Sequence, residues 1–218
     1  MAEVSEDSYL GDIISGDGKH GKTIKKRLGK GMGIISEIMN ILEKVTLGEF
    51  YFSTAILLRE SMFLNGILTN AEIWYGLTKS DMKELEDLDI SLLRKILNSK
   101  CSVPAEALYL ELGCLNINTV IKARRLNFLH YLVTRNKNEM LYKFFKAQWN
   151  HPTANDWTEQ AKQDLIDFGL NLDLDCISSK SKWSFKNLIK IKAKEYAFYS
   201  FLKRRSPFKN LKPLLLQS

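Results

Sequence analysis

The stretch from Tyr9 to Val45 constrains the fold most, because its apolar residues recur with the spacing of an α-helix. At about 100° per residue, one face collects six positions: Ile24, Leu28, Gly31, Ile35, Ile38 and Leu42. The opposite face carries Lys22, Lys26 and Lys30. This pattern predicts a long amphipathic helix with one buried face and one positively charged face. Gly31 lies on the apolar face, where a missing side chain lets another backbone come close.

Residues Gly16 to Thr23 also satisfy the phosphate-loop pattern G-x-x-x-x-G-K-[ST]. In such a loop backbone N–H groups hold phosphates, Lys22 reaches the terminal phosphates and the Thr23 hydroxyl binds magnesium. That interpretation requires a parallel sheet with further βαβ units and a second apolar strand that ends in an aspartate. No stretch after Val45 has this pattern. We therefore favour a plain turn at Gly16 to Gly18 and keep a nucleotide-binding loop as an alternative hypothesis.

Composition indicates a globular chain that is free of disulfides. Of the 218 residues, 45% are hydrophobic and 26% are charged, and the net charge of +7 favours a polyanionic partner. The three cysteines, Cys101, Cys114 and Cys176, fit a reducing compartment and have no zinc-site spacing. No apolar run approaches the ~20 residues of a membrane span, and Met1 to Ser8 is too acidic and short for a secretion signal. We expect an intracellular protein, cytoplasmic or nuclear, with no membrane association.

Long helical patterns between the four prolines predict a mainly α protein, a helical bundle with a short β-strand or hairpin at Tyr9 to Ile14. A nearly apolar helix from residue 47 or 48 to 64 is expected to be central and buried, with Gly66 and Asn70 breaking it. Further helices are predicted over 78–96 (capped by Thr78 or Ser80), 104–112 and 118–134. The pattern continues with helices over 138–150, 158–169 (capped by Thr158) and 183–203. Three regions are predicted: 1–97, 98–170 and a basic C-terminal helix and tail at 171–218.

The last predicted helix is strongly basic. Between Lys180 and Lys212 there are eleven Lys or Arg residues, and Glu195 is the only acidic one. Lys186, Lys190 and Lys194 recur every fourth residue and therefore form one ridge. A solvated helix face is the alternative interpretation of this charge run.

No active site can be assembled from the sequence. The histidines His20, His130 and His151 have no cysteine or carboxylate at metal-ligand spacing. Glu84, Glu86, Asp87 and Asp89 are interpreted as a solvated helix face, and Asp173 and Asp175 as a polar loop rather than a cation site. The aromatic residues Trp74, Tyr75, Trp149, Trp157 and Trp183 are assigned mostly to the core. We predict no catalytic residue, no cofactor and no metal.

Several segments follow one another in the order known from one family. They are Tyr9-Leu10-Gly11 with Asp17-Gly18 and Ile24…Arg27-Leu28, then Leu57-Leu58-Arg59, Ile67-Leu68, Glu72-Ile73-Trp74-Tyr75-Gly76-Leu77, Leu85-Glu86 and Leu92-Leu93-Arg94-Lys95-Ile96-Leu97. This order resembles the segment just after the palm in LINE-type (non-LTR) retrotransposon reverse transcriptases. Arg124 to His130 is similar to the region downstream of the thumb in such elements.

The resemblance implies the end of a primer-grip hairpin, a helical thumb and the region that follows it. Polymerase chemistry in that family uses a two-metal aspartate site with an [FY]-x-D-D turn, and this chain has no adjacent aspartate pair. The resemblance therefore implies a non-catalytic fragment of an RNA-directed DNA polymerase that grips RNA or DNA as template–primer duplex. The predicted phosphate contacts are Lys22, Lys25, Lys26, Lys30, Arg124, Arg125, Lys186, Lys190 and Lys194. A helical protein-interaction scaffold, with a large exposed apolar patch, is a further alternative.

Overall fold

The computed structural model describes residues 6–9, 12–15, 20–45, 48–154 and 156–205, most of which are helical. In chain order the elements are β1 (Glu6–Tyr9), β2 (Asp12–Ser15), α1 (Gly21–Leu42), α2 (Glu49–Leu58), α3 (Asn65–Ile67), α4 (Lys79–Ile96), α5 (Ala105–Glu111), α6 (Ile117–Val133), α7 (Met140–Asn150), α8 (Trp157–Asp167), α9 (Leu174–Ser178) and α10 (Lys182–Arg205). A π-helical segment, Arg59–Leu64, joins α2 to α3, and a 3-10 turn, Ala71–Ile73, follows α3. The predicted mainly α fold is confirmed. Within the described ranges, no helix combines the length and apolar character needed to cross a bilayer.

An antiparallel hairpin of β1 and β2 is fixed to the start of α1. The Thr23 hydroxyl accepts a hydrogen bond from the Ile13 N–H at 2.8 Å and donates to the Ile13 carbonyl at 3.2 Å. Asp12 accepts hydrogen bonds from Arg27 Nη2 at 2.8 Å and from Asn70 Nδ2 at 2.9 Å. The hairpin is therefore tied both to α1 and to the turn that follows α3.

The apolar face of α1 is buried as the sequence predicts. Its buried apolar side chains are Ile24, Ile35, Ile38 and Leu42, and they pack against α2, α3 and α4. Gly31 lies in this interface, where an added Cβ would lie 2.5 Å from Leu88 Cδ2 and 2.9 Å from Ile67 Cγ2. The close neighbours of Gly31 are thus side chains rather than the backbone that the sequence suggested.

We expect Gly31→Ala to lower the free energy of unfolding by about 1 kcal/mol. Overpacking a core destabilises a protein by about 1–3 kcal/mol, and the higher helix propensity of alanine offsets about 1 kcal/mol of this. Gly33→Ala in the same helix is the control, since no atom lies within 4 Å of a Cβ at that position. This control is expected to stabilise the protein by about 1 kcal/mol. Urea denaturation followed by circular dichroism measures both changes. Equal shifts for the two variants would contradict the close packing at Gly31.

The helical segment over 49–67 is less buried than predicted. Phe50 is 77% exposed and Leu57 is 62% exposed. The segment packs against α1 on one side. Apolar residues all around it therefore led to a prediction of more burial than the structure has. Gly66 does not break the helix, because it lies within α3 where its missing side chain makes room for Ile34. Asn70, with a left-handed φ of 61°, follows α3 and turns the chain as predicted.

An ion pair lies inside the first half of the bundle. Arg59 donates from Nε to Asp89 Oδ1 at 2.8 Å and from Nη2 to Asp89 Oδ2 at 2.6 Å. The Tyr109 hydroxyl donates to the same carboxylate at 2.9 Å, so α4 and α5 are joined to the π-helical segment here. Arg59 is 1% exposed and Asp89 is fully buried. The prediction that Asp89 lies on a solvated helix face is therefore wrong. The sequence did not reveal the pairing, because Arg59 lies thirty positions earlier in the chain.

Helix ends follow the predicted chemistry with one exception. Thr78 and Asp81 form a capping box at the start of α4, as expected for a Thr78 N-cap. Gly113 and Gly169 follow α5 and α8 with positive φ, which is typical of residues that end helices. The cap of α8 is Asp156 rather than Thr158, since the Asp156 carboxylate accepts the N–H of Glu159 at 2.8 Å. An aspartate is at least as good an N-cap as a threonine, and the buried Thr158 hydroxyl donates to it.

Two apolar clusters meet on α6. The first contains α1 to α5 and the start of α6, including Ile117 and Ile121. The second contains the rest of α6, including Leu126 and Leu129, together with side chains of α7 to α10. The C-terminal helix α10 packs against α6 through Phe185, Ile189 and Ala193, which are buried. A single helix therefore contributes to both cores.

Candidate nucleic-acid interface

The lysines predicted on α1 are all exposed. Lys22, Lys26 and Lys30 lie one helical turn apart, about 6 Å from one to the next, and Lys25 is beside them. They project from the side of α1 that is opposite to its buried apolar residues. We call Lys22, Lys26 and Lys30 the α1 ridge. No acidic residue lies in the first turn of the helix.

The lysines predicted on α10 are also exposed. Lys186, Lys190 and Lys194 form the α10 ridge, which lies beside the face of the helix that is buried against α6. Lys192 lies outside the ridge and is paired with Glu195 at 2.8 Å. The buried side chains of α1 belong to the first apolar cluster, and those of α10 belong to the second. Each ridge can therefore be tested without changing the other.

Arg125 is buried inside the protein, which corrects the prediction that it contacts a nucleic-acid phosphate. It is 5% exposed and donates to Asp164 at 2.6 Å and to the Trp74 carbonyl at 3.0 Å. Its charge is therefore paired with Asp164 inside the protein, where α6, α8 and the segment after the 3-10 turn meet. The helical spacing of α6 carried a signal for this, since Arg125 lies four residues from both Ile121 and Leu129 on the buried side.

Arg124 is half-buried at the edge of a groove. Its guanidinium donates to the Leu68 carbonyl at 2.6 Å and to Asn65 Oδ1 at 2.8 Å. Burial lowers the pKa of Arg124, and the neighbouring Glu72 carboxylate opposes that shift. Because guanidinium has five N–H donors, these two bonds leave others that can face the groove.

Sequence analysis missed the groove itself, which we call the α6–α10 groove. It has a volume of about 390 Å³, and its walls include Glu72, Arg124, Phe128, Tyr131, Lys182 and Lys186. Aromatic rings and basic side chains therefore lie together in one concavity. The spacing of Phe128 and Tyr131, three residues apart on a helix, was the available signal. Outside this groove, Trp183 is 76% exposed and Tyr75 is also exposed, which corrects their assignment to the core.

In the structure, Thr23 of the phosphate-loop pattern has a role in packing the hairpin against α1. Thr23 is fully buried and its hydroxyl is bonded to Ile13, so it does not face a site where magnesium could bind. The strand before the pattern belongs to a two-stranded antiparallel hairpin, and the described part of the chain holds no parallel sheet. Residues 16–19 lie outside the described ranges. These contacts disfavour the nucleotide-binding alternative.

The described residues contain no group of three or more His, Cys, Asp or Glu side chains that could hold a metal. His130 is buried, with Nε2 2.9 Å from the Lys180 carbonyl and its ring stacked on Phe185. Asp173 caps α9 by accepting the N–H of Asp175. All three cysteines are free, and burial together with the nearby Asp89 raises the pKa of the Cys114 thiol to about 11. At neutral pH Cys114 is therefore a protonated thiol with little nucleophilic character.

Comparisons with family models, curated proteins and solved structures found no match to this chain.

Proposed function

We propose that the chain is a non-catalytic nucleic-acid-binding module, a fragment of a LINE-type retrotransposon RNA-directed DNA polymerase that holds template–primer duplex. The observation that carries the proposal is the pair of exposed ridges on α1 and α10, each on a helix that buries another of its faces in the protein. Lysines arranged in this way contact phosphates and position a duplex without reading its sequence. The free cysteines favour action inside the cell, in the cytoplasm or the nucleus.

The order of elements supports the same proposal. The family resemblance leads us to expect the end of a hairpin followed by the packed helices of a thumb. A hairpin of β1 and β2 does precede α1, and α1 packs against α2, α3 and α4. Because Asp12 and Thr23 fix the hairpin to α1, the α1 ridge has a defined orientation relative to the hairpin.

The test is the salt dependence of binding to an RNA–DNA hybrid. Each neutralised phosphate on a duplex contributes about 0.9 to the slope of log affinity against log salt. Removing the α10 ridge by Lys186→Ala, Lys190→Ala and Lys194→Ala is expected to reduce that slope by about 2.7. The double variant Lys26→Ala and Lys30→Ala on α1 is expected to reduce it by about 1.8. Fluorescence anisotropy with a labelled hybrid between 50 and 200 mM salt, roughly the range over which such contacts are lost, measures both.

The matched control removes three other exposed lysines, Lys83, Lys100 and Lys143, by the same change to alanine. It lowers the net charge as much as the α10 variant does, but it changes neither ridge. We expect its salt slope to stay close to that of the unmodified protein. An equal loss of slope in the control would mean that net charge rather than the ridges binds the duplex. Absence of binding at low salt would refute the proposed function.

A helical protein-interaction module is the second candidate, and one observation favours it. A second groove of about 460 Å³ adjoins the first at Phe128, and its walls include Ile73, Tyr75, Leu141 and Phe144. These four side chains are exposed, and exposed apolar patches of this kind often mark protein interfaces. This candidate predicts that Phe144→Ser weakens binding to a protein partner and that neither ridge variant affects that binding.

A further inference from the structure

We infer that the α6–α10 groove is a site for an unpaired nucleic-acid strand, in which a base stacks on Tyr131 and the adjoining phosphates contact Lys182 and Lys186. This inference rests on the proposed function and adds a second kind of ligand to it, a single strand next to the duplex. The juxtaposition that supports it is an exposed aromatic ring and two exposed lysines on facing helices of one groove.

The aromatic part of the groove is held in place by packing. The Tyr131 ring is 43% exposed and lies nearly parallel to the Phe128 ring, at 20° and 5.7 Å between centroids. Phe128 in turn meets the Trp157 ring edge-on at 5.7 Å. Trp157 is fixed because its Nε1–H donates to the Glu72 carbonyl at 2.7 Å. A ring supported in this way loses little further freedom when a base stacks on it.

One side chain currently occupies part of the Tyr131 surface. The Arg135 guanidinium lies 4.6 Å from the centre of the Tyr131 ring. It also pairs with Glu139 at 3.4 Å, but both side chains are more than a third exposed, so this ion pair contributes little to holding Arg135 in place. We therefore expect a base to be able to displace Arg135 from the ring.

The charges around the ring suit a polyanion at one end of the groove. Lys182 and Lys186 are exposed on the α10 wall, and Arg124 lies on the α6 wall. Glu72 is the acidic residue among the walls, and its charge acts on Arg124. The side of the groove formed by α10 is thus the one where phosphates bind most favourably.

The combination of ring and lysines favours a single strand over a duplex. In a duplex the faces of each base are covered by its neighbours, whereas an unpaired base can turn its face onto an aromatic ring. Sites for single strands typically combine a basic groove with such rings, and they tolerate different sequences because every base has a π-face. Lysine side chains by themselves contact phosphates, which both forms of nucleic acid present.

The test compares binding of a labelled single-stranded oligonucleotide to the full chain and to variants of Tyr131. Tyr131→Ala is expected to weaken binding about 5- to 150-fold, the range found when one base–aromatic stack is lost. Tyr131→Phe keeps the ring and is expected to bind within about twofold of the unmodified protein, since the stacking surface is retained. Lys182→Gln is expected to reduce the salt slope by about 0.7, the value for one phosphate of a single strand.

Tyr199→Ala is the matched control, because Tyr199 is a similarly exposed tyrosine on α10 that does not line the groove. Equal binding by Tyr131→Ala and the unmodified protein would overturn the single-strand site, while the ridge variants could still alter duplex binding. Weaker duplex binding by Tyr131→Ala, to the same extent as single-strand binding, would also overturn it. If Tyr131→Ala leaves nucleic-acid binding intact but abolishes binding of a protein partner, the groove belongs to a protein interface.

Discussion

Asp89→Ala is expected to lower the free energy of unfolding by about 3–5 kcal/mol, because it leaves the buried Arg59 guanidinium without its carboxylate. Two hydrogen bonds from Arg59 and one from Tyr109 end on Asp89, and all three are lost together. Burial disfavours the Arg59 cation, yet attraction to Asp89 outweighs this and raises the pKa of Arg59 above its ordinary value. After the substitution, the Leu115 carbonyl at 2.8 Å is the remaining hydrogen-bond partner of that guanidinium.

Chemical denaturation followed by circular dichroism measures the effect, with Asp87→Ala as the control. Asp87 lies on the same helix but is exposed, so its removal is expected to change the stability by less than about 0.5 kcal/mol. The double variant Arg59→Met and Asp89→Leu is expected to lose less stability than Asp89→Ala, because no unpaired charge remains buried. A result in which Asp89→Ala and Asp87→Ala behave alike would show that Asp89 is not part of a buried pair.

Arg125→Ala is expected to destabilise the protein by about 3 kcal/mol, at the lower end of the range for a broken buried pair. The reason for the lower value is Lys122, whose Nζ lies 3.4 Å from Asp164 and keeps a positive charge beside that carboxylate. Arg125→Lys is expected to recover little of the loss, since a lysine cannot donate to both Asp164 and the Trp74 carbonyl with the fork of a guanidinium. Arg135→Ala, at an exposed ion pair, serves as the control and is expected to cost less than about 1 kcal/mol.

The pH dependence of the Arg125→Ala deficit follows from Asp164. Burial raises the pKa of the Asp164 carboxyl, and the charges of Arg125 and Lys122 oppose that rise. Without Arg125 the folded-state pKa rises further above the unfolded value, so the folded variant binds more protons and loses stability as the pH rises through this interval. The deficit is therefore expected to be largest at neutral pH and to shrink as the pH falls toward 4, roughly the unfolded-state pKa of an aspartate. A deficit that stays constant with pH would exclude the charge interaction as its cause.

Periodic and local patterns predicted much of this fold. The buried face of α1, the capping box at Thr78 and the glycines that follow α5 and α8 could all be identified from neighbouring residues. Each of these features depends on contacts within a few positions along the chain or on the spacing of one helix. The exposed ridges on α1 and α10 are predictable for the same reason, because their lysines recur every fourth residue, away from the buried apolar positions of each helix.

Long-range pairing could not be predicted. Asp89 and Arg125 both lie on the buried side of their helices, but the sequence does not indicate that a charge at such a position has a partner thirty or more residues away. The α6–α10 groove is missed for a similar reason, because Tyr131 and Lys182 belong to helices whose packing is decided by residues such as Phe185. The mostly apolar α2 shows the opposite error, since composition alone does not indicate how many neighbouring elements bury a helix.

Because α6 contributes to both apolar clusters, neither half of the protein is self-sufficient. A fragment that stops before residue 117 would lack Ile117 and Ile121 and leave a gap in the first cluster. A fragment that starts after residue 133 would lack Leu126 and Leu129, together with the surface of α6 against which α10 packs. Cleavage of the chain within α6 would therefore disrupt both apolar clusters at once.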